Sequence, residues 1–158
     1  MEARLTPADR ERYRRHLVLS EFGVAGQERL KAAKVLVVGG GGLGSAASLY
    51  LAAAGVGTLA LVDFDKVDLS NLQRQVLYGS ADIGRSKALR GQARLQELNP
   101  DISIVAHDCE VTAGNVMDLI RPYHLVVDGT DRLSTRYQVN DACVLQRKML
   151  VSAAIHRF

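Results

Sequence analysis

Short apolar blocks alternate with longer, periodic ones along most of this chain. Lys34 to Val38 is apolar after its first residue and runs into Gly39 to Gly42, with a further glycine at Gly44. A block apolar on both faces and closed by a turn predicts a buried parallel strand. The small, Ala-rich stretch from about Leu43 to Ala54 predicts a helix stopped by Gly55. Thr58 to Asp63 predicts a second strand, and the polar stretch Lys66 to Gly84 has little periodicity. A connection that long inside a compact domain is uncommon and usually functional. Ser86 to Leu98 predicts a helix that ends before Asn99-Pro100.

The second half continues the alternation. Strands are expected at Ile102 to His107, at Leu125 to Asp128 and at Met149 to Ala153, with helices at Ala113 to Ile120 and Thr135 to Arg147. Leu125 to Asp128, short and apolar, is expected to be central. The fold class is therefore α/β: a Rossmann-like, doubly wound, mainly parallel sheet with its site at the strand C-termini. Ahead of it, Thr6 caps a helix with Pro7 at its first position, running to about Arg15 or Leu19. A second short helix is expected from Gly26 to Ala33. The organisation reads as an N-terminal helical arm, residues 1–30, and a nucleotide-binding domain, residues 31–158. The last strand leads straight into Ile155 to Phe158 without a closing helix. That edge is expected to be covered by a partner, or the domain to be truncated.

Composition narrows the class. The chain has 158 residues, 47% of them hydrophobic, which fits one globular domain. A net charge of +3, scattered along the chain, argues against nucleic acid. Arg10, Arg12, Arg14 and Arg15 form the densest basic stretch and read on their own as a solvated helix face. Cys109 and Cys143 make no C-x-x-C pair or disulfide framework, so a reducing, cytoplasmic compartment is expected. Met1 to Arg15 lacks a signal-peptide core, and no apolar run approaches the ~20 residues of a membrane span.

The glycine turn carries the first chemical signal. Gly39, Gly41 and Gly44 fit G-x-G-x-x-G: a tight turn, close backbone approach to a phosphate, and close helix packing. The helix that follows offers free N–H groups and its positive dipole end. Asp63 ends the second strand, where an acid accepts from ribose hydroxyls; Asp65 and Asp68 are weaker candidates. These features alone suggest a nicotinamide-dependent oxidoreductase. Asn71, Arg74 and Lys87 point elsewhere, because a triphosphate needs cations that a dinucleotide pyrophosphate does not. After the fourth strand, Asp128 reads as a turn-capping residue and Asp131 as a Mg²⁺ ligand. His16, His107, His124 and His156 have no metal-ligand spacing. Cys143 reads as core, and neither cysteine has a context that activates a thiol.

Several motifs occur in a fixed order: Arg12-Tyr13-x-Arg15, Gly26-Gln27-Glu28, the glycine run ending at Gly44, Ala54-Gly55-Val56-Gly57, Asp63-Phe64-Asp65, Ser70-Asn71-Leu72-Gln73-Arg74-Gln75, Ile83-Gly84-x-x-Lys87, Asn99-Pro100 and Thr130-Asp131. Together they resemble the MoeB/ThiF group of the ubiquitin-activating enzyme superfamily, from about Arg12 to Ile155. The resemblance implies ATP and Mg²⁺ as cofactors and a ubiquitin-like sulfur-carrier protein of the MoaD/ThiS kind as partner. It implies adenylation of that carrier's C-terminal carboxylate. Gly42 is then expected to touch phosphate through its backbone, Asp63 to hold ribose, and Asn71, Arg74 and Lys87 to contact phosphates. Asp131 is expected to hold Mg²⁺ or to orient the triphosphate, and Ser70, Leu72 and Gln73 to lie within the nucleotide-binding loop. Arg15 is expected to reach into the other protomer's site in a homodimer. One departure is Arg132, where the family usually has Asn; the extra cation is expected either to add phosphate affinity or to point away. Another is that the family continues beyond this point with cysteine pairs for zinc and much of the carrier groove. No zinc is expected in this chain, and it reads as the nucleotide-binding half. A non-catalytic nucleotide-binding dimerisation module is the remaining alternative.

Overall fold

The computed structural model describes residues 4–155. Thr6 caps α1 (Pro7–Arg12) reciprocally with Asp9: the Asp9 N–H donates to Thr6 Oγ1, and the Thr6 N–H to Asp9 Oδ2. The expected single helix breaks at Tyr13, and α2 (Arg14–Leu17) follows as a separate turn. The break has a packing cause. Tyr13 is buried, and its hydroxyl accepts from Asn99 Nδ2 at 2.8 Å. Its ring fills the space a Cβ at Gly55 would need. The arm is thus pinned to the domain, and α3 (Gly23–Ala32) runs past the expected boundary at residue 30. Gln27, wholly buried, donates from Nε2 to the Ala54 carbonyl and meets His16 Nδ1 at 2.9 Å.

Five parallel strands form one sheet in the order β3-β2-β1-β4-β5. They are β1 (Lys34–Val38), β2 (Thr58–Val62), β3 (Ser103–His107), β4 (Leu125–Asp128) and β5 (Met149–Ser152). β1 and β2 are buried after their first residues, as strands covered on both faces must be. One core holds Val35, Val37, Leu59 and Leu61 beneath α4 (Gly42–Ala54) and α5 (Lys87–Leu98). The other holds Leu36, Val38, Val62 and Val126 against α6 (Val116–Ile120) and α7 (Leu133–Gln146), and it includes Cys143. β4 is interior, paired to β1 and β5, and the sheet's centre is β1. β5 forms one edge, with Met149 and Val151 exposed. The connections leave β1 toward β2 on one side and follow β4 on the other. The crevice this creates lies at the C-terminal ends of β1, β2 and β4. No described helix is long and apolar enough to cross a membrane.

Candidate functional site

A cavity of about 510 Å³ opens in that crevice, a size typical of small-ligand sites. Its floor is the glycine turn. Gly39 takes the left-handed backbone that only glycine adopts cheaply, with φ +88°. Gly41 and Gly42 line the cavity, while Gly44 does not. Gly44 is buried instead against β1, where an added Cβ would run into the Gly39 carbonyl oxygen. Gly39 makes the turn, Gly44 allows the close packing, and Gly41 and Gly42 leave their backbone at the cavity wall. α4 starts at Gly42 with no side-chain cap. Its first-turn amides have no intrahelical acceptor, and Gly42 and Leu43 of that turn line the cavity.

Asp63 sits where β2 ends. Its Oδ2 accepts from the Gly40 N–H at 2.6 Å and its Oδ1 from the Asp65 N–H at 2.8 Å. Each oxygen keeps a lone pair for a ligand hydroxyl. Burial pushes this carboxyl above its ordinary 3.8, against the pull of those two amides and of Lys87. The folded chain therefore holds the Asp63 proton more tightly than the unfolded chain. Its contribution to stability is greatest below the unfolded value and is lost as pH rises through the raised folded one. Urea unfolding at a series of pH values is expected to show this loss in the native protein and to show it diminished in Asp63→Asn. Equal pH profiles for the two would contradict it.

The long polar connection supplies the cations. Asp68 caps a short 3₁₀ turn, Leu69–Asn71, by accepting from the Ser70 N–H and hydroxyl. Asn71 Oδ1 accepts from the Asp68 N–H. Leu72 packs on the first core. Ser70, Asn71, Leu72 and Gln73 do not line the cavity; the turn they build brings Arg74 to it. The Arg74 stem crosses Gly42, with Cδ 3.6 Å from the position of a Cβ there. Lys87, only 5% exposed, lies at the start of α5 and bonds Asp65 Oδ2 at 3.1 Å. Lys87, Asp65 and Arg74 all line the cavity.

On the far side, Asp128 is a scaffold residue. It is buried, it accepts from Thr130 N–H and Oγ1 and from Ser152 Oγ, and it is ion-paired with Arg136 at 3.5 Å. Asp131 lines the cavity with its carboxylate exposed. Arg132 also lines it, but it is tied to Glu110 and lies over Phe64. Arg15 is exposed on α2 and is not part of this cavity wall. Among the described residues no group of three or more His, Cys, Asp or Glu side chains could hold a metal ion unaided. His107 meets the Tyr123 hydroxyl and His124 Nδ1 accepts from the Lys34 N–H; His156 lies outside the described residues.

Sequence reasoning missed Gln75 as a site residue. It is 4% exposed and lines the cavity, and its Oε1 has no hydrogen-bond partner among the described residues. A buried orphan acceptor is costly unless a ligand or water completes it. Its place beside Arg74 in the same motif was the available signal. Cys109 also lines the cavity, and burial raises its thiol, so it is no ready nucleophile.

The sequence profile of the ThiF family matches residues 13–158. A probable adenylyltransferase/sulfurtransferase MoeZ of Mycobacterium tuberculosis is 54% identical over 147 residues, covering 93% of this chain. A sulfur carrier protein adenylyltransferase of Thermus thermophilus is 50% identical over 155 residues, covering 98% of it. The chain spans 38% and 57% of those two relatives. Among solved structures, the E. coli tRNA N6-threonylcarbamoyladenosine dehydratase TcdA in complex with ATP superposes with a TM-score of 0.88 at 29% identity. That match covers 93% of this chain and 60% of that one.

Proposed function

Since the chain belongs to the ThiF family, we propose that its cavity binds ATP and serves the adenylation of a ubiquitin-like sulfur carrier's C-terminal carboxylate. The observation that carries this reading is the buried Lys87, set beside the uncapped start of α4 and the Arg74 side chain in one cavity. Free amides, a fork-shaped guanidinium and a compact ammonium together suit a polyphosphate. The unpartnered Gln75 Oε1 and the open lone pairs of Asp63 suit a ligand rich in donors, such as a nucleoside. The relatives named above as adenylyltransferases support the same chemistry, and the one that acts on a sulfur carrier supports the partner.

In this reading Gly41 and Gly42 hold phosphate through backbone and Asp63 holds the ribose. The carrier's carboxylate oxygen forms a bond to the α-phosphorus. The bond from that phosphorus to the bridging oxygen breaks, and pyrophosphate leaves with the electron pair. The products are an acyl-adenylate and pyrophosphate. Arg74 and Lys87 offset the charge that builds on the leaving group, and Gly41 and Gly42 keep the line of attack straight. Asp131, exposed at the cavity wall, would hold Mg²⁺, which would offset phosphate charge when bound. Arg15, exposed on the arm and outside its own cavity, is suited to act in the site of a second copy.

Pyrophosphate exchange into ATP tests this. Exchange is expected only when a small carrier protein ending in Gly-Gly is present, and it is expected to vanish when that tail is removed. ATP binding without carrier-dependent exchange would favour a non-catalytic nucleotide-binding module.

A further inference from the structure

Arg132 stands apart from the other cavity cations in what holds it. It leaves the end of β4, yet its Nη1 donates to Glu110 Oε1, beyond the end of β3, at 2.7 Å. β4 and β3 are three strand steps apart in the sheet, or about 14 Å at the usual strand spacing. The ion pair therefore joins loops from opposite sides of the crevice, above β1 and β2. The guanidinium carbon lies 4.7 Å from the centroid of the Phe64 ring, in the residue next to Asp63. All three side chains line the cavity.

An ion pair this exposed contributes little to stability, with 54% of the Arg132 side chain and 51% of the Glu110 side chain open to solvent. Its effect is geometric. The carboxylate balances the cation's charge and takes up one N–H donor, which makes Arg132 a poor partner for phosphate. Glu110 and the Phe64 ring together hold the guanidinium in place. What remains on offer is a flat, polarisable face. The phosphate end of the cavity is already set by Gly41, Gly42, Arg74 and Lys87, and the ribose position by Asp63. In the ATP reading, the part of the ligand left to lie beyond Asp63, toward β3, is the base.

We propose that Phe64, Arg132 and Glu110 form the base-side wall of the nucleotide site, with Arg132 stacking on the nucleobase rather than neutralising the triphosphate. This rests on the ATP reading of the cavity given above. Glu110 acts as a positioning residue, holding Arg132 over Phe64.

Calorimetric titration of the full chain with ATP and with inorganic tripolyphosphate separates the two roles. Arg132→Ala is expected to weaken ATP binding about tenfold, as loss of one stacking contact would, and to leave tripolyphosphate within about twofold. Phe64→Leu, which keeps apolar bulk but removes the ring, is expected to shift ATP in the same direction. Arg74→Ala is expected to weaken both ligands. Equal weakening of both by Arg132→Ala would overturn the proposal in favour of a phosphate contact. No weakening of either, in a variant with native circular dichroism, would also overturn it. Failure of the unmodified chain to bind ATP would instead overturn the site assignment beneath it.

Discussion

Lys87→Ala is expected to weaken ATP binding by roughly a hundredfold while the fold survives. A charge-assisted contact from a desolvated ammonium to phosphate contributes on the order of 2–3 kcal/mol, and each 1.4 kcal/mol is a factor of ten. Lys87 is nine-tenths buried, so water screens it weakly. Its partner Asp65 has a half-exposed side chain and rehydrates when the ammonium is gone. The stability loss is therefore expected to stay near 1 kcal/mol. Calorimetric titration and urea unfolding check the two halves separately. ATP affinity within about threefold of the unmodified chain, far short of that factor, would remove Lys87 from the site.

The second large effect separates two glycines of one motif. Gly44→Ala is expected to cost at least about 3 kcal/mol of stability, because the new methyl would overlap the Gly39 carbonyl and force α4 away from β1. That is a large share of the 5–15 kcal/mol typical of a domain. Gly41→Ala is expected to fold normally. Its φ is −72°, and a Cβ there comes no nearer than 4.0 Å to any neighbour, the Gln75 amide. The methyl would instead stand in the cavity where phosphate must approach. Its expected result is native urea stability with ATP affinity lowered at least tenfold, the loss of a phosphate hydrogen bond or two. Equal stability of Gly44→Ala and the unmodified chain would contradict the division of labour.

The sheet was legible because its strands are written plainly. β1 and β4 have the bounds their sequence predicts, since each is an apolar run closed by glycine or aspartate. α4 and α5 were legible from Gly55 and from Ser86, which caps α5 by accepting from the Leu89 N–H. The arm was less so. Nothing local to Tyr13 announces that its hydroxyl will meet Asn99, a contact between residues far apart in sequence that breaks the helix. α6 starts at Val116 rather than Ala113, because Asn115 is committed to the turn, taking the Thr112 N–H and donating to the Glu110 carbonyl.

The site shows the same split. Gly41, Gly42, Asp63, Asp65, Arg74, Lys87, Asp131 and Arg132 come together in one cavity, as their motifs suggest. The loop between β2 and α5 has no periodicity, so sequence could not say which of its side chains turn inward. Leu72 went to the core and Gln75 to the cavity. Charge was all the sequence offered for Arg132, which left open whether it adds phosphate affinity or points away. Its partners, Phe64 and Glu110, follow other strands, and only the sheet order brings them to it.

The most direct test of the central claim is titration of the full chain with ATP, with and without Mg²⁺, against NAD. Saturable ATP binding that responds to Mg²⁺, with no binding of NAD, is the predicted result. NAD bound in preference to ATP would contradict the account, because Arg74 and Lys87 would then not be serving a triphosphate.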